Sequence, residues 1–232
     1  MFNRLAQINI KDKKMFNPNP VTQEFFSMIE ITNGKCSFTN SVENKEKQNI
    51  VIVLESPHRS EYNDVGTAIR SANGNTGKKL KANLEQKIDK VIKNGRLKLG
   101  DDAYNLYAVN AIQYQCSFGL KPIQPELRNT VFRTLWPSLK VDFLNRIKKL
   151  EPIVIINMCT GGIMAIGDYI ANTANTAKAS KYIKKLLSKE LPLNLIVHMS
   201  LVDYISNMGG VDYYYCVHPS SKNFNRVDLR EV

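Results

Sequence analysis

Three polar stretches of this chain hold residue types that could do chemistry: Glu55-Ser56-Pro57-His58, Asn110, and His218-Pro219-Ser220-Ser221. A carboxylate or an imidazole can move a proton, or hold an oxygen as negative charge develops on it. An asparagine amide pairs a donor with an acceptor, which is what reading a base edge requires. Each residue alone is weak evidence. A single Asn more often caps a turn, and a His before Pro more often sits in a plain loop.

What joins the three is the kind of segment that precedes them. Residues 50–54, Ile-Val-Ile-Val-Leu, form an apolar run that stops at Glu55. Pro57 lacks the N–H that a further ladder would need. Residues 104–110 end a second run at Asn110, and residues 211–217 deliver His218. Apolar runs without alternation read as strands buried on both faces, as in a parallel sheet. In open α/β sheets a ligand sits beyond the carboxyl ends of the strands. The three polar stretches therefore fall where chemistry is expected.

Helical patterns separate these strands. Residues 20–31 read as a helix with Pro20 in its first turn and Phe25, Met28 and Ile29 on one face, stopped by Asn33-Gly34. Residues 35–49 read as an exposed polar connection. Residues 59–77 lack periodicity and end in the loop signal Asn73-Gly74-Asn75-Thr76-Gly77. A helix carrying Leu80, Leu84, Ile88 and Val91 follows, with Lys78, Lys79 and Lys81 in its first turn. Cations there are locally unfavourable, unless a polyanion lies against them. Helices are expected at 125–135 and 138–150, a strand at 153–156, and a helix after Gly162. A basic helix at 178–191 is closed by Pro192, and residues 193–197 read as a short strand or connector. The alternation predicts one α/β domain over 1–232: a three-layer α/β/α sandwich on a central, mainly parallel four-stranded sheet. Residues 1–49 form a helical and polar extension packed on it.

Composition bounds the partners. The chain has 232 residues, 43% of them hydrophobic, enough for a sizeable core. Its 32 Lys and Arg against 21 Asp and Glu leave a formal net charge of +11. That excess suits a polyanion, and nucleic acid is the reading adopted. No apolar stretch is long enough to span a membrane, and residues 1–4 lack a signal-peptide layout. The expectation is a cytoplasmic monomer with no membrane partner. Cys36, Cys116, Cys159 and Cys216 contain no Cys-x-x-Cys pair and read as buried thiols. No metal and no cofactor is expected.

In order and spacing, these stretches resemble the uracil-DNA glycosylase superfamily, nearest its branch with Gly-Glu-Ala-Pro-Gly as first motif. Leu54-Glu55-Ser56-Pro57-His58 stands at that motif, and Gly74, Gly77 and Leu80 match the following Gly-x-x-Gly-x-x-Leu. Asn110 matches the strand-ending, base-reading Asn. Leu150-Glu151-Pro152 and the strand after it match Leu-x-Pro, and His218-Pro219-Ser220 matches the closing His-Pro-Ser. The resemblance spans residues 50–226. It implies an enzyme that flips a base out of DNA and hydrolyses its N-glycosidic bond through an oxocarbenium-like state. His218 would steady the departing base. Phe224 or Lys222 would fill the vacated space, with Ser220, Ser221, Lys222 and Arg226, and Lys78 and Lys79, along the DNA.

The departures shape the expectation. Ser56 stands where some members carry an Asp or Asn that positions water, so Glu55 or His58 is left to do that work. The branch's iron–sulfur cysteines are missing, Thr130 standing in one of their places. Ala72 stands where a Phe stacks on the base, leaving Tyr62 or Tyr114 as platform. Ala72, together with His58 in place of a wall Tyr, removes aromatic bulk. His58, Arg59, Asn63 and Asn73 could then bind a polar substituent. The substrate would be uracil, or a bulky modified pyrimidine such as the glucosylated hydroxymethylcytosine of bacteriophage DNA, a target for antiviral defence. The alternatives are a glycosylase-like DNA-binding module without hydrolysis, and an unrelated nucleotide hydrolase using Glu55 and His218.

Overall fold

The run that stops at Glu55 is β3 (Asn49–Leu54), the middle strand of a seven-stranded sheet. The computed structural model describes residues 19–39, 41–64, 66–116, 125–160, 191–207 and 209–232, with backbone alone for 125–127. The segment at 1–18, the loop at 117–124, the helix expected after Gly162 and all but the last residue of that at 178–191 lie outside the described residues. The other strands are β1 (Phe25–Thr32), β2 (Lys35–Thr39), β4 (Ala103–Asn110), β5 (Pro152–Asn157), β6 (Asp212–Tyr215) and β7 (Arg230–Glu231). Their order is β2-β1-β4-β3-β5-β6-β7. Neighbours among β4, β3, β5 and β6 pair in parallel, whereas β1, β2 and β7 join antiparallel. The described part is thus an α/β unit on a mixed sheet.

Helices α1 (Asn75–Lys93), α2 (Pro125–Leu150) and α3 (Leu193–Ser206) cover that sheet. Ile50, Ile52 and Leu54 join a core with Leu80, Leu84, Ile88 and Val91 of α1. Val51 and Val53 join a second core with Phe132, Trp136, Phe143 and Ile147 of α2 and Leu193, Val197 and Leu201 of α3. Both faces of β3 are covered, which is why its sequence does not alternate. Each such side chain contributes about 1.5–3 kcal/mol by leaving water.

Four expectations are corrected. Residues 25–32 form a strand, not a helix, and Asn33-Gly34 is a hairpin turn with φ of 50° and 68°. Phe25, Phe26, Met28, Ile29 and Ile31 place apolar side chains on both sides of the strand, so the helix-like spacing was accidental; Asn-Gly between two strands suits a type I′ turn. Residues 35–39 pair as edge strand β2 rather than forming a polar connection. The N–H groups of Cys36 and Phe38 are taken at 2.6 Å by Asp89 and Glu85 of α1, so the edge is capped by carboxylates. The two helices expected at 125–150 are one, with Pro137 inside it. Residues 193–197 begin the 14-residue α3 behind Pro192, because the apolar run continues past them and packs on the sheet.

Candidate functional site

The carboxyl ends of β3, β4, β5 and β6 point the same way and carry Glu55, Asn110, Thr160 and His218. Backbone bonds lock the exits, with Ala111 N–H on the Leu54 carbonyl and Ile112 N–H on that of Glu55.

Glu55 is 4% exposed, and its Oε1 receives the Nε–H of Arg128 at 3.0 Å. Burial lifts its carboxyl above the ordinary range while the guanidinium pulls it back. Thr160 approaches through its hydroxyl and N–H, yet Oε2 completes no well-formed hydrogen bond among the described residues. A buried carboxylate oxygen in that state is open to a donor from outside. Ser56 is half-buried and lies against the Cys116 thiol.

The two histidines are held alike. His218 Nδ1 accepts the Ser220 N–H at 3.1 Å, and His58 Nδ1 accepts the Ser60 N–H at 3.3 Å. A neutral ring fixed this way carries its proton on Nε2. Burial first, then Arg128, Lys79 and His58, lower the His218 pKa to about 4. His58 is lowered by burial alone. His218 therefore stays neutral at physiological pH, an N–H donor with cations around it. Arg128, beside both Glu55 and His218, brings the first and third stretches together. Lys79 Nζ ties the His218 loop to α1 through the Ser220 carbonyl at 3.2 Å.

Asn110 is fully covered. Its Nδ2 gives one N–H to Glu61 Oε2 and one to Ser71 Oγ, each at 3.0 Å, and its Oδ1 has no partner among the described residues. Glu61 belongs to a 3₁₀ turn (Arg59–Glu61) capped by His58, whose N–H reaches Glu61 Oε1. Burial pushes the Glu61 carboxyl up to about 7, against N–H donors from Asn110, His58 and Ala72.

Other expected residues stand elsewhere. Phe224 is 1% exposed, packed in the α1-side core with Lys87 Nζ 4.6 Å from its ring centre, and cannot act as a wedge without leaving that core. Tyr62 is buried and donates its hydroxyl to the Asn19 carbonyl at 3.1 Å, while Tyr114 packs at the margin of the α2-side core. Tyr62 is thus enclosed, whereas Tyr114 is half-buried. Asn63 takes the Thr67 N–H and Asn73 donates to the Ser60 carbonyl, so both serve the loop itself. Lys78, Ser220, Lys222 and Arg226 are exposed, Lys79 and Ser221 partly so. Gly74 and Gly77 are sterically required: a Cβ would lie 1.9 Å from Ser60 Oγ and 1.9 Å from the Ala72 carbonyl oxygen. The four cysteines are buried and free.

Sequence reasoning missed Arg128, Glu61 and Ser71. Arg128 had a signal, a cation in the first turn of a helix against the macrodipole. Glu61 had one too, three residues after His58 in the spacing of a capping box. No protein-family model, curated protein or solved structure matches the chain.

Proposed function

We propose that this protein is a monofunctional DNA glycosylase of the uracil-DNA glycosylase type, built as a three-layer sandwich and leaving an abasic site in an intact strand. The observation that carries the reading is His218, whose Nδ1 is occupied by the Ser220 N–H so that the neutral ring keeps its Nε2–H to donate, beside Arg128 and Lys79. When an N-glycosidic bond breaks, the base departs with negative charge on its oxygens and the sugar becomes cationic. A neutral imidazole N–H within a cationic setting stabilises the first charge without losing a proton to water beforehand. Glu55, buried and incompletely satisfied, stabilises the second and orients the attacking water through Oε2. Lys78, Lys222 and Arg226 lie outward for phosphates, and α1 starts without a side-chain cap, leaving its N–H groups for an anion. Among the described residues no helix is long and apolar enough to cross a membrane.

The test is incubation with duplexes carrying uracil, 5-hydroxymethyluracil, and plain or glucosylated 5-hydroxymethylcytosine, followed by alkaline cleavage at abasic sites. Release of a base from one of them, lost in His218→Ala, supports the reading; no release from any refutes it. A glycosylase-like DNA-binding module is the second reading, favoured by the Glu55–Arg128 ion pair, which lowers the basicity of Glu55. It predicts salt-sensitive DNA binding without release.

A further inference from the structure

The Asn110 amide is oriented by what it touches. Both its N–H groups point to oxygens, Glu61 Oε2 and Ser71 Oγ, at 3.0 Å each. While Glu61 is ionised the amide cannot turn, because Oδ1 would then face a carboxylate oxygen. The oxygen is left alone: Oδ1 has no partner among the described residues, although Asn110 is 0% exposed. An orphaned buried acceptor has lost its water without replacement, so it is a standing invitation to a donor. Glu61 and Ser71 lie on the nitrogen side of the amide, and a ligand on the oxygen side need not displace them.

We infer, resting on the glycosylase reading, that Glu61 is a positioning residue that sets base specificity: its carboxylate turns Asn110 Oδ1 toward the flipped base, so the site prefers a pyrimidine with a 4-amino group over its 4-oxo counterpart. A 4-amino base brings N–H to an edge lined by Asn110 Oδ1. A 4-oxo base can offer Oδ1 only its N3–H, and the carbonyl beside it finds both N–H groups of Asn110 already spent. Protonated Glu61 reverses the arrangement. Its O–H and the Ser71 hydroxyl can both donate to Oδ1, the amide turns, and its N–H pair faces the base.

Other titratable groups around this triad are accounted for. His58 is engaged at Nδ1 with Ser60. The Tyr62 hydroxyl is raised above its ordinary range, by burial first and then by the Glu61 charge. Arg146 of α2 donates to the Asn110 and Ala111 carbonyls and is paired with Glu24 and Asp142.

The experiment uses base pairs of equal shape: duplexes with 5-hydroxymethylcytosine or 5-hydroxymethyluracil, each with and without glucose, from pH 5.5 to 8.5. The 4-amino base of the favoured pair is released at least about tenfold faster at pH 8.5. That ratio falls toward acid with a midpoint near the Glu61 value of about 7. In Glu61→Gln the ratio no longer depends on pH. The Asn110 side-chain amide resonances of the wild-type protein shift with the same midpoint, a readout independent of turnover and of whether the variant folds. Release of both bases at a ratio constant with pH overturns the inference and leaves the glycosylase reading standing. No release of any base overturns that reading, and the inference with it.

Discussion

Replacing Arg128 by methionine isolates the charge balance at the end of β3. The stem is kept and the guanidinium 3.0 Å from the buried Glu55 is removed. Burial already lifts the Glu55 carboxyl above 4.5, and Arg128 opposes the lift. A carboxyl raised in the folded state gives its full stabilisation below the unfolded value and loses it as pH climbs through the folded value. Without Arg128 the folded value climbs further, so the loss is deeper and extends to higher pH. Breaking one side of a buried pair costs about 3–5 kcal/mol, but the carboxyl can escape by keeping its proton. Keeping it costs about 1.4 kcal/mol per pH unit above the ordinary carboxylate value, so under about 1 kcal/mol at pH 5 and about 3 at pH 7. Arg128→Met should therefore lose up to about 2–3 kcal/mol more at pH 7 than at pH 5. Urea unfolding reports this through Trp136, the one tryptophan, stacked on Phe132 in the α2-side core. Adding Glu55→Gln should recover most of the loss at pH 7. Equal destabilisation at both pH values, or a double variant no better than the single, would refute the reasoning.

The remaining predictions concern the site and its supports. His218→Ala should slow base release by about 100-fold or more, and in the Glu61→Gln background the rate should show no imidazole titration between pH 5 and 8, falling only toward the His218 value of about 4; a step near 6.5 in a pH–rate profile would count against the neutral ring. Gly77→Ala should cost about 1–3 kcal/mol in thermal or urea unfolding, because its Cβ meets backbone oxygen and not a movable side chain; an unchanged midpoint would show that the loop yields freely. Duplex binding should weaken with salt, and replacing Lys78, Lys222 and Arg226 by Ala together should flatten the slope of log K against log salt by about 2–3; an unchanged slope would place the phosphates elsewhere.

Much of the sheet was legible because two-sided burial leaves a simple mark. Residues 50–54 read as an interior strand without alternation, and β3 is covered by α1 on one face and by α2 and α3 on the other. The same property misled at residues 25–32. Phe25, Phe26, Met28 and Ile29 are apolar on both sides of β1, so no period of two showed, and a chance spacing of three and four read as a helix. The Asn33-Gly34 turn was the better guide, since its positive φ values suit a hairpin. Continuous apolarity also hid α3, where length alone separates helix from strand. Asn110 was legible as a strand end, but its surroundings were not. Glu61 lies in a stretch without periodicity, and its burial comes from folding over β4, which no local pattern records.

Two helix starts break a local rule, and the site accounts for part of that. Lys78 closes the first turn of α1 with Lys79 just after it, and Arg128 stands near the start of α2, where the macrodipole disfavours cations by up to about 0.3–1 kcal/mol each. Arg128 meets the Glu55 carboxylate, and Lys79 meets the carbonyls of Ser220 and Ser221. Each thereby fastens a residue of the candidate site, Glu55 in one case and the His218 loop in the other. The same two cations help hold His218 neutral, which the proposed chemistry needs. Lys78 alone of the three is exposed with no such contact among the described residues, at a helix start that lacks a side-chain cap. Local cost without internal compensation is the pattern expected of a functional residue, and it places Lys78 first among the cations to test against a phosphate.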